Sequence, residues 1–122
     1  MTYRYKGAPT NRQLRVSEMI LQEIARILMK AEVYHPALDG LYLSVLDVKT
    51  SADLKLSTIF IHPVRADVDE QLAYVLNFLV PEYRKKISNK VKLKYIPEIK
   101  FVVDKNIDDK IRMEKLMQGL TQ

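Results

Sequence analysis

Apolar and polar positions repeat with two different periods along the chain, and these periods predict its helices and strands. Over residues 11–31 the apolar side chains recur every three or four positions, which is typical of an amphipathic helix packed on a core. Thr10 and Gln13 have the spacing of a capping box, so this helix is predicted to begin directly after Thr10. Pro36 and Gly40 are strong helix breakers and are predicted to close it.

A second helical period crosses a proline. The apolar positions continue from Leu72 to Val91, although Pro81 lies between them. A proline inside a helix removes one backbone hydrogen bond and crowds the carbonyl four residues earlier, but it is tolerated in the first helical turn. The segment is therefore predicted to form two helices, over residues 68–79 and 82–90, that meet at an angle with Pro81 at the start of the second.

Three segments are predicted to be strands. Residues 41–49 and 55–62 are rich in β-branched and aromatic side chains and are separated by a Ser-Ala-Asp turn, which predicts an antiparallel hairpin. Residues 98–103 alternate apolar and polar positions, and residues 107–117 have the period of a short last helix. This order predicts an α+β fold, α-β-β-α-α-β, with helices packed on one face of a three-stranded sheet.

The composition predicts one domain without disulfides. The chain has 122 residues, no cysteine and no apolar run of the roughly 18 residues that a membrane span needs. Residues 1–10 are predicted to be a flexible basic arm, 11–118 a single domain and 119–122 a tail. No signal-peptide core is visible, so we expect a cytoplasmic protein that does not contact a membrane.

The positive charge is concentrated in two segments. The net charge is +5, and residues 82–100 hold seven Lys or Arg against two Glu. Residues 1–16 hold four bases and no acid, whereas residues 17–81 hold five bases and nine acids. This asymmetry favours a polyanionic partner over a merely solvated helix face. The candidate RNA-binding residues are Arg84, Lys85, Lys86, Lys90, Lys92 and Lys94, with Arg12 and Arg15 on the first helix.

Catalytic motifs are not found. The three glycines are far apart, which excludes a Gly-rich phosphate loop. His35 and His62 lie beside prolines and outside any nucleophile or metal motif, and Asp47 and Asp53 flank the hairpin turn, where Asp commonly binds nearby backbone. The other acid clusters lie at predicted helix starts and are predicted to be caps: Asp67, Asp69, Glu70, Asp104, Asp108 and Asp109. We expect no catalytic residue, metal, cofactor or small-molecule substrate.

Three stretches together resemble one bacterial family. They are "LRVSEMILQEIARIL" in the first helix, "LDVKTSADLKLSTIFI" across the hairpin and "KLKYIPEIKFVVDKNIDDKIRMEKL" near the end. The DV-x-x-S-x-DL turn and the PE-x-x-F-x-x-D strand occur in the order and separation of the ribosome-binding factor A family. The resemblance covers the chain from about Arg12 to Met117.

The resemblance implies a KH-like type II fold in which an Ala-x-Gly helix junction replaces the GXXG loop of ordinary KH domains. This chain departs from that pattern, since Leu79, Val80 and Pro81 occupy the junction. The family binds free small (30S) ribosomal subunits near the decoding region and contacts 16S rRNA. It assists late subunit maturation and 16S rRNA 5′-end processing without catalysis, and it leaves before translation.

Two classes of function therefore remain open for comparison. The first is an RNA-binding assembly factor of the small subunit, and the second is a protein-interaction module whose Lys-rich helix meets an acidic partner. Removal of RNA would separate them, because only the first association depends on it. An enzyme has no candidate nucleophile, base or cofactor loop, and we expect a monomer.

Overall fold

The computed structural model describes residues 7–64 and 71–104, and within these residues the predicted order of elements is confirmed. The helices are α1 (Asn11–Lys30), α2 (Gln71–Phe78) and α3 (Val80–Ser88), with a 3-10 helix at Pro36–Leu38. The strands are β1 (Leu43–Thr50), β2 (Leu56–Pro63) and β3 (Glu98–Val103). The predicted last helix, the N-terminal half of the predicted arm, the tail and the acidic residues before α2 lie outside the described residues.

The three strands form one mixed sheet in the order β1-β2-β3. β1 and β2 pair antiparallel, as the predicted hairpin requires, with an irregularity between Val45 and Asp47. β3 pairs with β2 in parallel, from Leu56 opposite Glu98 to Ile61 opposite Val103. Parallel neighbours need a long crossover connection, and α2 and α3 lie within it. The fold is α+β, and β3 is an edge strand of the described sheet.

The core lies between the helices and one face of the sheet. The apolar stripe that predicted α1 is buried from Val16 to Ile27, whereas Ala31 is exposed. Ala31 has left-handed backbone angles, and its N–H donates to the carbonyls of Ile27 and Leu28. This C-cap ends the helix well before Pro36. The helical and strand residues that share this core are Val16, Ile20, Ile24, Ile27, Val48, Ile59, Ile61, Leu72, Leu76, Tyr83, Ile87, Ile99 and Phe101, together with Leu79 between α2 and α3.

A buried chain of polar side chains joins α1 to the hairpin. The predicted capping box is present, and the Gln13 side chain also donates from Nε2 to the carbonyl oxygen of Thr50 at 3.1 Å. Ser17 Oγ donates to Thr50 Oγ1 at 2.9 Å, and Thr50 Oγ1 lies 2.9 Å from Ser57 Oγ. Because buried polar groups are costly unless hydrogen-bonded, this chain specifies the register of α1 on β1 and β2.

The hairpin turn depends on the predicted aspartate. Asp53 Oδ1 accepts from Ser51 Oγ at 2.6 Å and from the Lys55 N–H at 3.1 Å, and both bonds hold the pKa of this carboxyl below its usual value. Leu54, which lies between Asp53 and Lys55, has a φ of 62°, in the left-handed region that is unfavourable for a residue with a Cβ. Asp47 likewise binds backbone, accepting the Val48 N–H at 2.8 Å.

The two central helices break at Leu79, as the proline predicted, but the boundary differs. α3 begins at Val80, so Pro81 lies inside its first turn and not ahead of a helix over 82–90. The carbonyl of Leu79 accepts the N–H groups of Glu82 at 2.9 Å and Tyr83 at 3.2 Å. The first N–H groups of a helix have no intrahelical acceptor, so the missing N–H of Pro81 costs nothing and Val80 can join the helix.

Side chains on both sides of this break bind the main chain of β3 and of the segment before it. The Asn77 side chain accepts the Phe101 N–H at Oδ1 (2.9 Å) and donates from Nδ2 to the Phe101 carbonyl (3.0 Å). On α3, Arg84 donates from Nη2 to the carbonyl of Ile96 (2.8 Å) and from Nε to that of Pro97 (3.2 Å). The positions of α2 and α3 on the sheet are thus specified by directional bonds as well as by packing.

We predict that Asn77→Ala destabilises the domain by about 1–3 kcal/mol, because the main-chain donor and acceptor of Phe101 lose their partners on a part-buried edge. Chemical denaturation of the purified chain measures the difference. Asn11→Ala, an exposed asparagine at the first position of α1, is the matched control and is expected to change stability by less than about 0.5 kcal/mol. Equal effects of the two substitutions would contradict a structural role for the Asn77 side chain.

Tyr83 is predicted to make stability depend on alkaline pH. Its ring is 1 % exposed and packs edge-on against Phe101 with 5.0 Å between centroids. Burial, with a smaller contribution from Glu82, raises the pKa of its phenol to about 12 from 10.0. The folded state favours the neutral phenol, so this stabilisation is complete below pH 10.0 and is lost as the pH rises through about 12.

Thermal melting measured at several pH values between about 9 and about 12 tests this effect. Tyr83→Phe keeps the ring but cannot ionise, so its melting temperature should fall less than that of the parent over the same interval. Tyr34→Phe removes an exposed phenol and should follow the parent. A parallel decline of all three proteins would show that ionisation of Tyr83 does not limit the alkaline stability.

Candidate nucleic-acid interface

The predicted basic residues of α3 have unequal environments. Lys85 is exposed on α3, and Lys90 is exposed just after its end. Lys86 is half-buried and contributes, after Arg26, to lowering the pKa of the Glu32 carboxyl near the C-terminus of α1. Part of the Lys86 charge therefore acts on an acid of the same molecule, whereas Lys85 on α3 and Lys90 just after it are exposed to solvent.

Arg84 was predicted as an RNA-binding residue, but the structure gives its guanidinium an internal role. It is half-buried, and two of its donors are occupied by the carbonyls of Ile96 and Pro97. The planar fork of five N–H groups suits such paired acceptors. Arg84 thus connects α3 to the segment that leads into β3.

The chain that leaves α3 carries two further predicted bases and an unpredicted aromatic residue. Lys92 and Lys94 are exposed, and Tyr95 is 77 % exposed. The Lys94 ammonium lies 5.6 Å from the centroid of the Tyr95 ring, within the range of a cation–π contact. An exposed ring beside a cation is a combination that can stack on a base and neutralise a phosphate.

Folding brings Lys94 to the two predicted arginines of α1. Arg12 and Arg15 are exposed one helical turn apart, and with Lys94 they line a groove of about 960 Å³. Lys55 of the hairpin turn joins them there, although no sequence pattern predicted it. We call this groove, between the start of α1, the β1–β2 turn and residues 93–98, the basic groove.

The helix junction lies on another part of the molecule. Leu79 is buried in the core, Val80 is half-buried and Pro81 is exposed, and none of the three lines the basic groove. Two aromatic side chains of α2 next to the junction, Tyr74 and Phe78, are 78 % and 76 % exposed. They were not predicted as site residues. Their exposure could have been predicted from the sequence, because both fall outside the apolar stripe that packs in the core.

Both histidines have partners within the protein. His35 Nδ1 accepts the Ala37 N–H at 3.0 Å, and His62 Nδ1 lies 3.2 Å from the carbonyl oxygen of Asp104. Within residues 7–64 and 71–104, no group of three His, Asp or Glu could hold a metal ion, and no helix is both long and apolar enough to cross a membrane.

Comparison with known proteins identifies the family of this chain. A family model described as ribosome-binding factor A matches residues 12–117. The ribosome-binding factor A of Nitrobacter winogradskyi is 41 % identical over 113 residues, which cover 89 % of this chain and 80 % of that protein. That of Bradyrhizobium sp. ORS 278 is 38 % identical over 110 residues, covering 89 % and 79 % of the two chains.

Solved structures show the same fold. The crystal structure of ribosome-binding factor A from Thermus thermophilus superposes with a TM-score of 0.60 at 16 % identity, covering 75 % of this chain and 94 % of that one. A homology model of the Thermus thermophilus ribosome-binding factor A, fitted into a cryo-EM map of its complex with the 30S subunit, gives a TM-score of 0.55 at 15 % identity, with 76 % and 91 % covered. By its matching family model and its relatives, this chain belongs to the ribosome-binding factor A family.

Proposed function

We propose that this protein binds free small ribosomal subunits through 16S rRNA and assists their late maturation, including processing of the 16S rRNA 5′ end. It acts in the cytoplasm as a monomer. The observation that carries the proposal is the family match over residues 12–117, which spans Arg12, Arg15 and all the predicted basic residues after Pro81. As a member of this family the protein is a non-catalytic assembly factor and not an enzyme.

The partner is supported by a structural relative. A homology model of the Thermus thermophilus factor was fitted into a cryo-EM map of its complex with the 30S subunit. The complex is that of the Thermus protein, and at 15 % identity the Thermus protein resembles this chain in fold alone. We extend the partner to this chain because family membership rests on sequence identity with other relatives, of which this chain covers about four fifths.

The charges of the described surface support an RNA partner. Lys85, Lys90, Lys92 and Lys94 are exposed on α3 and on the segment that follows it. Phosphate groups bound by lysine release condensed counterions, so such a surface gains affinity for RNA that falls steeply with salt. An acidic protein partner for the same lysines is the alternative, and it predicts an association that survives removal of RNA.

We predict that the protein sediments with free 30S subunits and is absent from translating ribosomes, and that nuclease treatment abolishes the association. Lys85→Glu with Lys90→Glu should weaken binding and lower the slope of log affinity against log salt by about 0.7 for each lost phosphate contact. Lys30→Glu with Lys100→Glu, which reverses two exposed lysines elsewhere, is the matched control. Arg84 is left unchanged because it binds two main-chain carbonyls, and Lys86 because its charge acts on Glu32 of the same molecule.

Binding that resists nuclease and responds weakly to salt would favour the acidic protein partner. Equal loss of affinity in the two double variants would mean that only net charge matters and that α3 has no special role. Both variants change exposed residues, and Lys30 lies in the last turn of α1 near Glu32, so their stability should stay within about 1 kcal/mol of the parent.

We also predict that Pro81→Ala lowers affinity for the subunit more than it lowers stability. Alanine restores an N–H and a strong helix former, which favours joining α2 and α3 and loosens the orientation of the basic helix. Asn77 and Arg84 still bind β3 and its lead-in, so the domain should stay folded. Affinity for 30S subunits and thermal melting are measured together.

Pro81→Gly is the control for the bend. Glycine permits the angle and matches the family's junction residue, so binding should stay closer to that of the parent. Its cost of about 0.4–1 kcal/mol arises from greater entropy of the unfolded chain. If Pro81→Ala binds subunits as tightly as the parent, the proline does not orient the basic helix.

A further inference from the structure

The basic groove and the helix junction lie at different places on the sheet. It is lined by the first residues of β2 and β3, Leu56 and Glu98, and by the turn that precedes β2. The α2–α3 junction, in contrast, belongs to the crossover that leaves the far end of β2. The groove volume of about 960 Å³ lies near the upper end of the range for small-molecule sites, roughly 300–1,000 Å³.

The groove has an apolar lining and a basic rim. Apolar side chains contributed by α1, the hairpin turn and the α3–β3 connection line it: Val16, Met19, Leu54, Leu56, Leu93, Ile96 and Pro97. The exposed bases Arg12, Arg15, Lys55 and Lys94 line it as well. This pairing of apolar surface with several cations fits a ligand that is itself apolar in one part and anionic in another.

The acids of the groove do not neutralise this rim. Only Asp53 and Glu98 are acidic among the lining residues, against four bases. The Asp53 carboxylate also accepts hydrogen bonds from the Ser51 hydroxyl and the Lys55 N–H within the turn. The groove therefore keeps an excess of positive charge that is complementary to a phosphate backbone.

One lining residue is held in an unfavourable backbone conformation. Leu54 has a φ of 62° and is half-buried against the core and the groove. Non-glycine residues in this region are uncommon, and they are found preferentially where a surface serves a function. The turn thus holds an apolar side chain in the groove at a conformational cost that glycine at this position would avoid.

An aromatic ring completes the set of contacts that single-stranded nucleic acid uses. Tyr95 lines the groove, is 77 % exposed and has the Lys94 ammonium on one face of its ring. Single-stranded sites combine such rings, on which bases stack, with cations that follow the backbone. A duplex keeps its bases inside and presents phosphates and hydroxyls, which would leave the apolar lining of the groove without a partner.

We propose that the basic groove binds an unpaired RNA segment, with bases against its apolar lining and Tyr95 and phosphates at Arg12, Arg15, Lys55 and Lys94. This assignment rests on the proposed function, because rRNA is the RNA to which the protein would bind. It adds a site that holds single-stranded nucleotides and leaves the lysines of α3 to contact phosphates of either single-stranded or paired RNA.

The test compares two triple variants of the full chain. Arg15→Ala, Lys94→Ala and Tyr95→Ala together change the groove. The matched control is Lys85→Ala, Lys90→Ala and Tyr74→Ala, which removes the same charge and an equally exposed tyrosine from α2, α3 and its exit. The probe is a fluorescent RNA of about ten nucleotides without self-complementarity, a length typical of single-stranded sites, used alone and annealed to its complement.

The groove variant is expected to lose at least about tenfold in affinity for the single strand, since removing one stacking ring alone costs about fivefold or more. Its affinity for the duplex should fall much less. The control variant should weaken both probes alike, and Tyr95→Phe should bind as the parent does. An unchanged ratio of single-strand to duplex affinity in the groove variant would overturn the proposal.

Two further measurements separate this proposal from the general one. If the parent does not sediment with 30S subunits but binds the single strand through the groove, the ribosomal function fails and the groove assignment stands. If the parent binds subunits and the groove variant keeps its single-strand affinity, the groove assignment fails alone. Groove-dependent binding of a poly-glutamate peptide as tight as that of RNA would identify a plain anion site and also overturn it.

Discussion

The arrangement of the helices depends on side-chain hydrogen bonds to β3 and to the residues that lead into it. Asn77 on α2 binds both main-chain groups of Phe101, and Arg84 on α3 binds two carbonyls just before the strand. Leu79 between the two helices is buried in the core. The two helices are held at different points along the same stretch of chain, so these tertiary contacts specify the angle between them.

This constraint explains why neighbouring bases of α3 have different roles. Arg84 faces the connection to β3 and serves the fold, while Lys85, the next residue, is exposed. Lys86 is half-buried near Glu32 of the α1 end. Successive residues on a helix point about 100° apart, so a run of three bases cannot form one uniform surface. The charge that a partner meets comes mainly from Lys85, from Lys90 and from the chain that follows.

The hairpin turn and the start of α1 line one side of the basic groove. Gln13, Ser17 and Thr50 fix α1 on the hairpin through buried hydrogen bonds. On the exposed side of the same helix, Arg12 and Arg15 are thereby placed opposite the α3–β3 connection. In the first turns of α1, the buried face thus carries the polar network and the exposed face carries the basic rim of the groove.

Local patterns determined most of the fold in advance. Periodicity predicted α1, the hairpin, the break near Pro81 and β3, because apolar spacing and proline chemistry act within a few residues. Sequence also located the positive charge and indicated the family. It did not show that Arg84 binds backbone, or that Lys55, Lys94 and Tyr95 lie around one groove with Arg12 and Arg15. Those facts depend on which distant segments the parallel crossover and the packing of α1 bring together, and no local pattern contains them.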